Sequence, residues 1–474
     1  MSEAVVIKEK WYRQIYWFAL FLCLFNWMLP LSSSGADHPA FLVGYTQIRK
    51  PTQLVPQSGV TLPSEFTKYP FSLYHVFNGG AQDQLEPVLA VPGDAASVWR
   101  SLAKDQAWEV VETETVQLYF KNGSTLVEEK EIQNQIVDHL RYAPASVASG
   151  GLMGDWKAFL DYLHNSADLK NAFLVAVFPF LEDREETLGD YRDWLLEEFS
   201  NVNSLVWEID PEQESGAFAV SVSARPGSRL YKLFNRDEGE LSGMFGFVPK
   251  KPDLQLGRVD GITANNYLNY FFKGTSTVGD DSFLRIRNKL NKIDPGIFDR
   301  WDGSWAHWEA GTGGERLLLL GGRFQATDLT EIFEGLSDLP VEGLPFSIEL
   351  DRKNSVVGFT RVRSFEWVDL DEQTLIGTLI PKPIYFGISN GFAAISESDT
   401  ALMELVFTLN SRRPLKESAA DLFDDKRYES ILEYEDGEIM RSVTLTRGRL
   451  VLRQGKAPDW FYDYFQSLTK NLVD

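Results

Sequence analysis

The stretch that most constrains the fold covers residues 383–409, PIYFGISNGFAAISESDTALMELVFTL. Two apolar segments that alternate like strands flank Asn390-Gly391, a dipeptide typical of a two-residue hairpin turn. Ser398 then stands where a helix N-cap is expected, ahead of an amphipathic run. The pattern predicts a strand, a turn, a second strand and a capped helix, in that order.

Alternating segments joined by turn residues recur along the rest of the chain. Residues 205–209 and 217–224 read as a strand pair, and a second hairpin turns at residues 311–314. A three-stranded meander is predicted over residues 431–453. Because strands and short helices follow one another with many hairpins, we expect an α+β fold. Its sheets would be antiparallel or mixed, with short helices packed on one face.

Further segments have readable local patterns. Residues 108–120 alternate like one strand that ends in a hairpin turn at Asn122-Gly123, and residues 128–140 suit a helix. Residues 244–248 read as a strand. Lys353-Asn354 is expected to be the turn between two more strands.

The chain has 474 residues, which is too long for one ordinary hydrophobic core, so two or three domains are expected. A polar stretch containing Gly239 is the best boundary between them. It gives an N-terminal α+β domain over residues 37–240 and a C-terminal α+β domain over residues 241–474. Passages from a strand into a capped helix occur twice in each, at Gly93-Asp94, Gly227-Ser228, Thr327-Asp328 and Ser398-Asp399, so we expect two related halves.

Residues 1–36 form an N-terminal apolar leader, in which basic residues precede an apolar run over residues 15–31. Ser34 and Ala36 suit the −3 and −1 positions of a cleaved secretory signal. The run is also close to the lower length limit for a membrane-spanning helix, so a retained N-terminal anchor is the alternative. In either case we expect the rest of the chain outside the cytoplasm, periplasmic or anchored to the inner membrane.

The formal net charge of −22 argues against binding to nucleic acid or anionic lipid, because phosphate groups would be repelled. Contact with the membrane is therefore expected only through the leader. Cys23 is the single cysteine and lies in that leader. Disulfides within the exported part, cysteine zinc sites and cysteine nucleophiles are thereby excluded.

Two segments carry a resemblance to other proteins: SARPGSRLYKLF at residues 223–234 and YFGISNGFAAISESDTALMELV at residues 385–406. Together with the leader, they resemble segments of uncharacterised exported bacterial proteins built from α+β units. The resemblance lacks a specific motif, and nothing is carried over from it. It implies no catalytic residues.

Ser389 lies in Gly387-Ile388-Ser389-Asn390-Gly391, which matches the G-x-S-x-G pattern of serine hydrolases. A nucleophile elbow needs a helix directly after the serine, whereas here a second strand follows the Asn-Gly turn. The hydrolase order of serine, acid and histidine also fails, because the last histidine is His307. The hairpin interpretation is therefore preferred, and no catalytic residue is assigned.

The densest aromatic cluster of the chain consists of Trp301, Trp305, His307 and Trp308, the candidate ligand contacts. Exposed indoles could stack on sugar rings, as flat amphipathic surfaces do. In a strand, Trp305 and His307 would share one face and Trp308 would take the other. Packing within the protein is thus the alternative for at least part of the cluster.

No cofactor or metal site is predicted from the remaining residues. The five histidines, His38, His75, His139, His164 and His307, do not have the spacing of a zinc motif. The sequence also has no P-loop and no dinucleotide-binding fingerprint. We therefore expect an exported, non-enzymatic binding or scaffold protein of the bacterial cell envelope, with an envelope protein or a glycan as partner. The alternative is an envelope or extracellular hydrolase that uses carboxylates. The sequence does not indicate the oligomeric state.

Overall fold

The computed structural model describes residues 40–51, 53, 69–78, 84–93, 108–142, 146–153, 156, 160, 197–198, 200–210, 218–235, 242–251, 253–258, 288, 292, 296, 298–310, 315–325, 347–357, 360–368, 384–424, 430–435 and 437–455. The predicted leader lies outside these residues. None of the helices within them is long and apolar enough to cross a bilayer.

The regular elements of the described residues are mostly strands. In chain order they are β1 (Phe41–Ile48), β2 (Phe71–Asn78), β3 (Gln84–Pro92), β4 (Trp108–Glu112), β5 (Val116–Lys121), α1 (Lys130–Tyr142), β6 (Ala148–Leu152), β7 (Val202–Ile209), β8 (Phe218–Ala224), α2 (Arg229–Leu233), β9 (Leu254–Arg258), β10 (Trp301–Ala310), β11 (Glu315–Gly322), β12 (Ser347–Val357), β13 (Thr360–Val368), β14 (Ile384–Ser389), β15 (Phe392–Ser396), α3 (Asp399–Asn410), α4 (Ala420–Asp424), β16 (Ile431–Glu435), β17 (Glu438–Thr446) and β18 (Arg449–Gln454). Short 3-10 helices cover Thr125–Val127, Gly243–Phe247 and Phe298–Arg300.

The expectation of an α+β fold is wrong. The described residues form eighteen strands and four α-helices, and every strand pair whose register is described is antiparallel. The physical reason is that successive strands pair with each other through short connections, as β4 does with β5 and β14 does with β15. Antiparallel strands can be joined by short hairpins and need no crossover helix, so most of these residues enter ladders and few enter helices.

The chain divides into two compact units, one formed by Met1–Ala224 with Arg453–Asp474 and the other by Arg225–Leu452. Strands of the first unit follow the order β4-β5-β3-β2-β1-β6-β7-β8. In the second unit the order is β12-β13-β14-β15-β11-β10-β9-β16-β17. The domain boundary predicted at residue 240 stays a prediction.

The two units share part of their strand connectivity, and the second unit has two further strands, β12 and β13, before the shared hairpin. Each begins with a meander, β1-β2-β3 or β9-β10-β11, and then adds a hairpin whose last strand, β5 or β15, pairs with the third strand. A helix follows, α1 or α3, and the next strand, β6 or β16, pairs with the first strand of the unit. A duplication of one ancestral unit would produce this arrangement. The hypothesis of two related halves nevertheless stays a prediction.

In each unit a helix packs its apolar side on one face of the sheet. In the first unit, Ile132 and Ile136 of α1 are buried against residues of β1, β2, β3 and β5. In the second, Leu402, Leu405 and Leu409 of α3 are buried against residues of β9, β10, β11 and β15. These spacings of three or four residues place the side chains on one helix face.

Several local predictions are confirmed. Asn390 and Gly391 have φ angles of 54° and 83°, so they form the primed turn between β14 and β15. The hydroxyl of Ser398 accepts a hydrogen bond from the backbone N–H of Ala401 and caps α3. Ser228 caps α2 in the same way, through the backbone N–H of Tyr231.

Other local predictions are wrong. Residues 108–120 form the hairpin of β4 and β5, so Asn122-Gly123 follows the hairpin and leads towards α1. Residues 244–248 belong mostly to a 3-10 helix. Lys353 and Asn354 lie inside β12, at an irregularity of its pairing with β13. In each case the local residues favour a turn or a strand, whereas contacts with other segments of the chain decide the conformation.

Candidate functional site

Strand β10 places the four candidate contact residues in different environments. Ala306 and Trp308 are 0% and 2% exposed and belong to the core beneath α3. Trp305 and His307 are half-buried and alternate with them, so they lie on the opposite face of the sheet. The structure therefore brings Trp305 and His307 together on one surface, and it places Trp308 inside the protein.

The indole of Trp305 lies against bare backbone. In the antiparallel register Trp305 is opposite Gly257 of β9 on one side and Leu320 of β11 on the other. A Cβ at Gly257 would overlap the indole ring, so only glycine leaves room for the ring in this position. The fixed ring, together with half-buried His307, Leu318 and Leu320, forms what we call the tryptophan face.

Two ion pairs lie at positions that flank the tryptophan face. Arg316 of β11 contacts the carboxylate of Glu397 at 3.3 Å, and its backbone N–H donates to the same carboxylate at 2.8 Å. Arg441 of β17 contacts Glu433 of β16 at 2.8 Å. Each pair joins one positive and one negative charge.

Trp301 belongs to the irregular start of β10. Its indole N–H donates to the carbonyl oxygen of Ser304 at 2.8 Å. Asp302 accepts hydrogen bonds from the backbone N–H of Ser304 at 2.8 Å and from the hydroxyl of Ser242 at 3.1 Å. These contacts hold the bend that lies between Trp301 and Trp305 in the pairing with β11.

Ser389 lies at the end of β14, next to the primed turn, and its side chain is committed to a structural contact. The residue is 5% exposed, and its hydroxyl donates to Oδ1 of Asn410, the last residue of α3, at 2.8 Å. The side-chain amide of Asn390 donates to the carbonyl oxygen of Leu409. The G-x-S-x-G segment thus ties a hairpin to the end of a helix.

Replacing Ser389 with alanine is expected to lower the free energy of unfolding by about 1 kcal/mol, the usual net contribution of one hydrogen bond. Hydrolysis of a p-nitrophenyl ester panel should be the same for the variant and the wild type. Urea denaturation and the ester assay check the two expectations. A hydrolytic activity that disappears with Ser389→Ala would contradict the structural role.

A second cluster, in the first unit, was not predicted from the sequence. It joins Tyr45 of β1, Tyr74 of β2 and His139 of α1. The hydroxyl of Tyr74 lies 3.0 Å from Nδ1 of His139, and the rings of Tyr45 and His139 meet edge to face with centroids 4.2 Å apart. Tyr45 and Tyr74 are 5% and 0% exposed, whereas His139 is half-buried.

The protonation states of this cluster follow from its burial. Burial raises the pKa of Tyr45 to about 12, the charge of Glu208 adds to the rise, and a hydrogen bond with Ser149 opposes it. Burial, followed by the neighbouring Tyr45, raises the pKa of Tyr74 above its ordinary value, while Arg49 acts in the other direction. Burial lowers the pKa of His139. Near neutral pH both phenols are therefore protonated and the imidazole is neutral.

The cluster could not be read from the sequence because its members are far apart along the chain. Tyr74 and His139 are separated by 65 positions. No spacing links them, and the only local signal was the alternation of aromatic residues in two predicted strands. Pairing of β1 with β2 and packing of α1 on this face bring them together.

His75 lies on the other face of β2, opposite Gly44 of β1 and Pro87 of β3. It is 4% exposed, and burial lowers its pKa to about 3. Its Nε2 has no hydrogen-bond partner in the structure. His38 and His164 lie outside the described residues. Among the described residues, no three His, Cys, Asp or Glu side chains lie close enough together to hold a metal ion.

Comparison with known proteins does not assign the chain to a family. No protein-family model, curated protein or solved structure matches the chain. The described residues therefore define only the architecture: two units of antiparallel β-sheet that share part of their strand connectivity.

Proposed function

We propose that the chain is an exported, non-enzymatic binding or scaffold protein of the bacterial cell envelope, and that it binds a glycan through the tryptophan face. The observation that carries the proposal is the half-buried indole of Trp305, held flat against Gly257 beside His307. Support for export comes from the basic and apolar pattern of residues 1–36.

The chemistry of the tryptophan face suits a sugar ring. Apolar C–H faces of sugars pack on flat aromatic surfaces, while their hydroxyl groups need polar neighbours. Trp305, Leu318 and Leu320 supply the apolar surface, and His307 supplies polar ring nitrogens. Because each flanking ion pair carries no net charge, neither pair favours a charged ligand over a neutral glycan.

The carboxylate hydrolase remains the alternative from the sequence, and the two carboxylates of the flanking ion pairs do not favour it. Glycoside hydrolysis needs one carboxyl group free to transfer a proton and a second free to act on the sugar or on water. Glu397 and Glu433 are each held by an arginine at 3.3 Å and 2.8 Å. They therefore serve the pairing of the strands.

The proposal is tested by fractionating cells that express the full chain and by binding the purified protein to insoluble envelope glycan. Wild type is expected in the exported fraction and in the glycan pellet. Trp305→Ala should reduce pelleting at least tenfold. Phe407→Ala, which removes an aromatic ring that is 70% exposed on α3, is the matched control and should pellet like wild type. Equal pelleting of all three proteins, or a cytoplasmic location, would contradict the proposal.

A further inference from the structure

Two complete Asn-Gly dipeptides lie within the described residues: Asn122-Gly123 after β5, and Asn390-Gly391 between β14 and β15. In such a pair the backbone nitrogen of the glycine can attack Cγ of the asparagine side chain. Glycine favours this reaction because it has no side chain to obstruct the approach. Since both dipeptides have the same two residues, any difference between them in the folded protein comes from the structure around each one.

Asn122 and Gly123 form an exposed turn with few contacts. The backbone N–H of Ser124 donates to the carbonyl oxygen of Lys121 at 3.0 Å, Gly123 has a φ of 79°, and Asn122 has a negative φ, as in a type II turn. Both turn residues are exposed, and a Cβ at Gly123 would meet no atom within 4 Å. Within the part of the chain that the structure describes, no hydrogen bond holds the side-chain amide of Asn122.

Asn390 and Gly391 are held by several contacts. The side-chain amide of Asn390 donates to the carbonyl oxygen of Leu409, at the end of α3. The carbonyl oxygen of Gly391 accepts from the backbone N–H of Phe324 at 3.1 Å, and a Cβ at Gly391 would lie 3.0 Å from the carbonyl oxygen of Gly322. The dipeptide also joins two strands that are paired up to the turn.

We propose that Asn122 is a site of spontaneous deamidation and that its contacts protect Asn390 from the same reaction. The backbone nitrogen of Gly123 forms a bond to Cγ of Asn122, and the side-chain nitrogen leaves as ammonia with the proton of the attacking N–H. The product is a five-membered cyclic imide. Water then adds to one of the two imide carbonyl groups and breaks its bond to nitrogen. The outcome is aspartate, or isoaspartate when the main chain continues through the former side-chain carbonyl.

The structural contacts decide the relative rates, because ring closure moves the glycine nitrogen towards Cγ and takes the backbone out of its turn geometry. At Asn122 this movement gives up the single hydrogen bond that closes the turn. At Asn390 it gives up the contacts with Leu409 and Phe324 and the end of a strand pair. The amide nitrogen that donates to Leu409 is also the leaving group. Reaction at Asn390 therefore requires the hairpin to open first.

Deamidation at Asn122 would change both the charge and the backbone of the first unit. Each event replaces a neutral amide by a carboxylate and so takes the formal net charge from −22 to −23. Isoaspartate also adds one carbon to the main chain close to Ser124, whose hydroxyl donates to Glu86 of β3 and accepts the backbone N–H of Leu126. This inference goes beyond the proposed function, because it needs neither the tryptophan face nor a glycan.

The test uses the purified full chain, incubated at pH 8 and sampled over several days. Peptide mapping by mass spectrometry measures the exchange of amide for carboxyl at each dipeptide separately. Methylation by a protein isoaspartyl methyltransferase identifies the isoaspartate product. We expect the folded chain to react at least tenfold faster at Asn122 than at Asn390. In concentrated urea the two rates should become similar, because only the shared dipeptide then remains.

Asn122→Gln is the matched control, because glutamine keeps an exposed amide but cannot form the five-membered ring. Its peptide should gain no isoaspartate, while the rate at Asn390 stays that of the wild type. The inference is overturned if the folded chain reacts at equal rates at the two sites or faster at Asn390. It is also overturned if Asn122 stays unmodified in the folded chain under conditions that convert it in urea.

Discussion

Replacing Trp308 with alanine is expected to lower the free energy of unfolding of the second unit by about 3–5 kcal/mol, the range for removing a large aromatic side chain from a packed core. Trp308 is 2% exposed and belongs to the core formed by α3 with strands β9, β10, β11 and β15. Removal of the indole leaves a cavity in this core, because leucine side chains surround the ring. Urea denaturation at neutral pH measures the loss.

Trp305→Ala is the matched comparison, three residues earlier in the same strand. The ring of Trp305 is half-buried and lies on the backbone of Gly257, so its removal should cost only about 1–2 kcal/mol, as expected for partial apolar burial. The variant should therefore stay folded and lose glycan binding, while Trp308→Ala loses stability. An equal or larger loss of stability for Trp305→Ala would contradict the assignment of the two faces.

Acid should destabilise the first unit through His75. Because burial lowers its pKa from 6.5 to about 3, the unfolded chain takes up a proton at a higher pH than the folded protein does. Stability is therefore fully present above pH 6.5 and is lost as the pH falls towards 3. The loss grows by about 1.4 kcal/mol per pH unit over this window and reaches about 2 kcal/mol at pH 5.

His75→Leu removes the titrating group while keeping a side chain of similar size. At pH 7.5 the variant should be as stable as the wild type or slightly more stable, since the unpartnered Nε2 is gone. Urea denaturation at pH 7.5, 6 and 5 should show the wild type falling behind the variant as the pH decreases. Parallel pH profiles for the two proteins would rule out a buried neutral imidazole at this position.

The features that could be predicted from the sequence are those decided by a few adjacent residues. The Asn390-Gly391 turn needs two positive φ angles, and an Asn-Gly pair adopts them at little cost. Ser228 and Ser398 satisfy backbone N–H groups within three residues of themselves. Turns at Gly437 and Gly448, with φ angles of 94° and 77°, follow the same logic.

Features that depend on distant pairing could not be predicted. The turn expected at Lys353-Asn354 is overridden, because β12 continues through it while paired with β13. The fold class could not be predicted for a related reason: the share of the chain that enters antiparallel ladders depends on pairing between distant segments. The shared connectivity of the two units likewise becomes visible only once β6 and β16 are paired with β1 and β9.

The same distinction between adjacent and distant residues applies to the candidate sites. Trp305, His307 and Trp308 were visible as a cluster, and strand alternation gave their faces correctly, because both depend on adjacent positions. The contact of Trp305 with Gly257 and the tyrosine–histidine cluster of the first unit were not visible. Both need segments that are remote in sequence, and neither contains a recognisable motif.

The most direct test of the central claim is photo-crosslinking in living cells, with p-benzoylphenylalanine introduced in place of Leu318 in one strain and of Phe407 in another. If the tryptophan face binds the envelope glycan, light should attach glycan to the chain with the label at Leu318, which leaves Trp305 in place, and not with the label at Phe407. Equal attachment from both positions, attachment from Phe407 alone, or attachment from neither would contradict the proposed function.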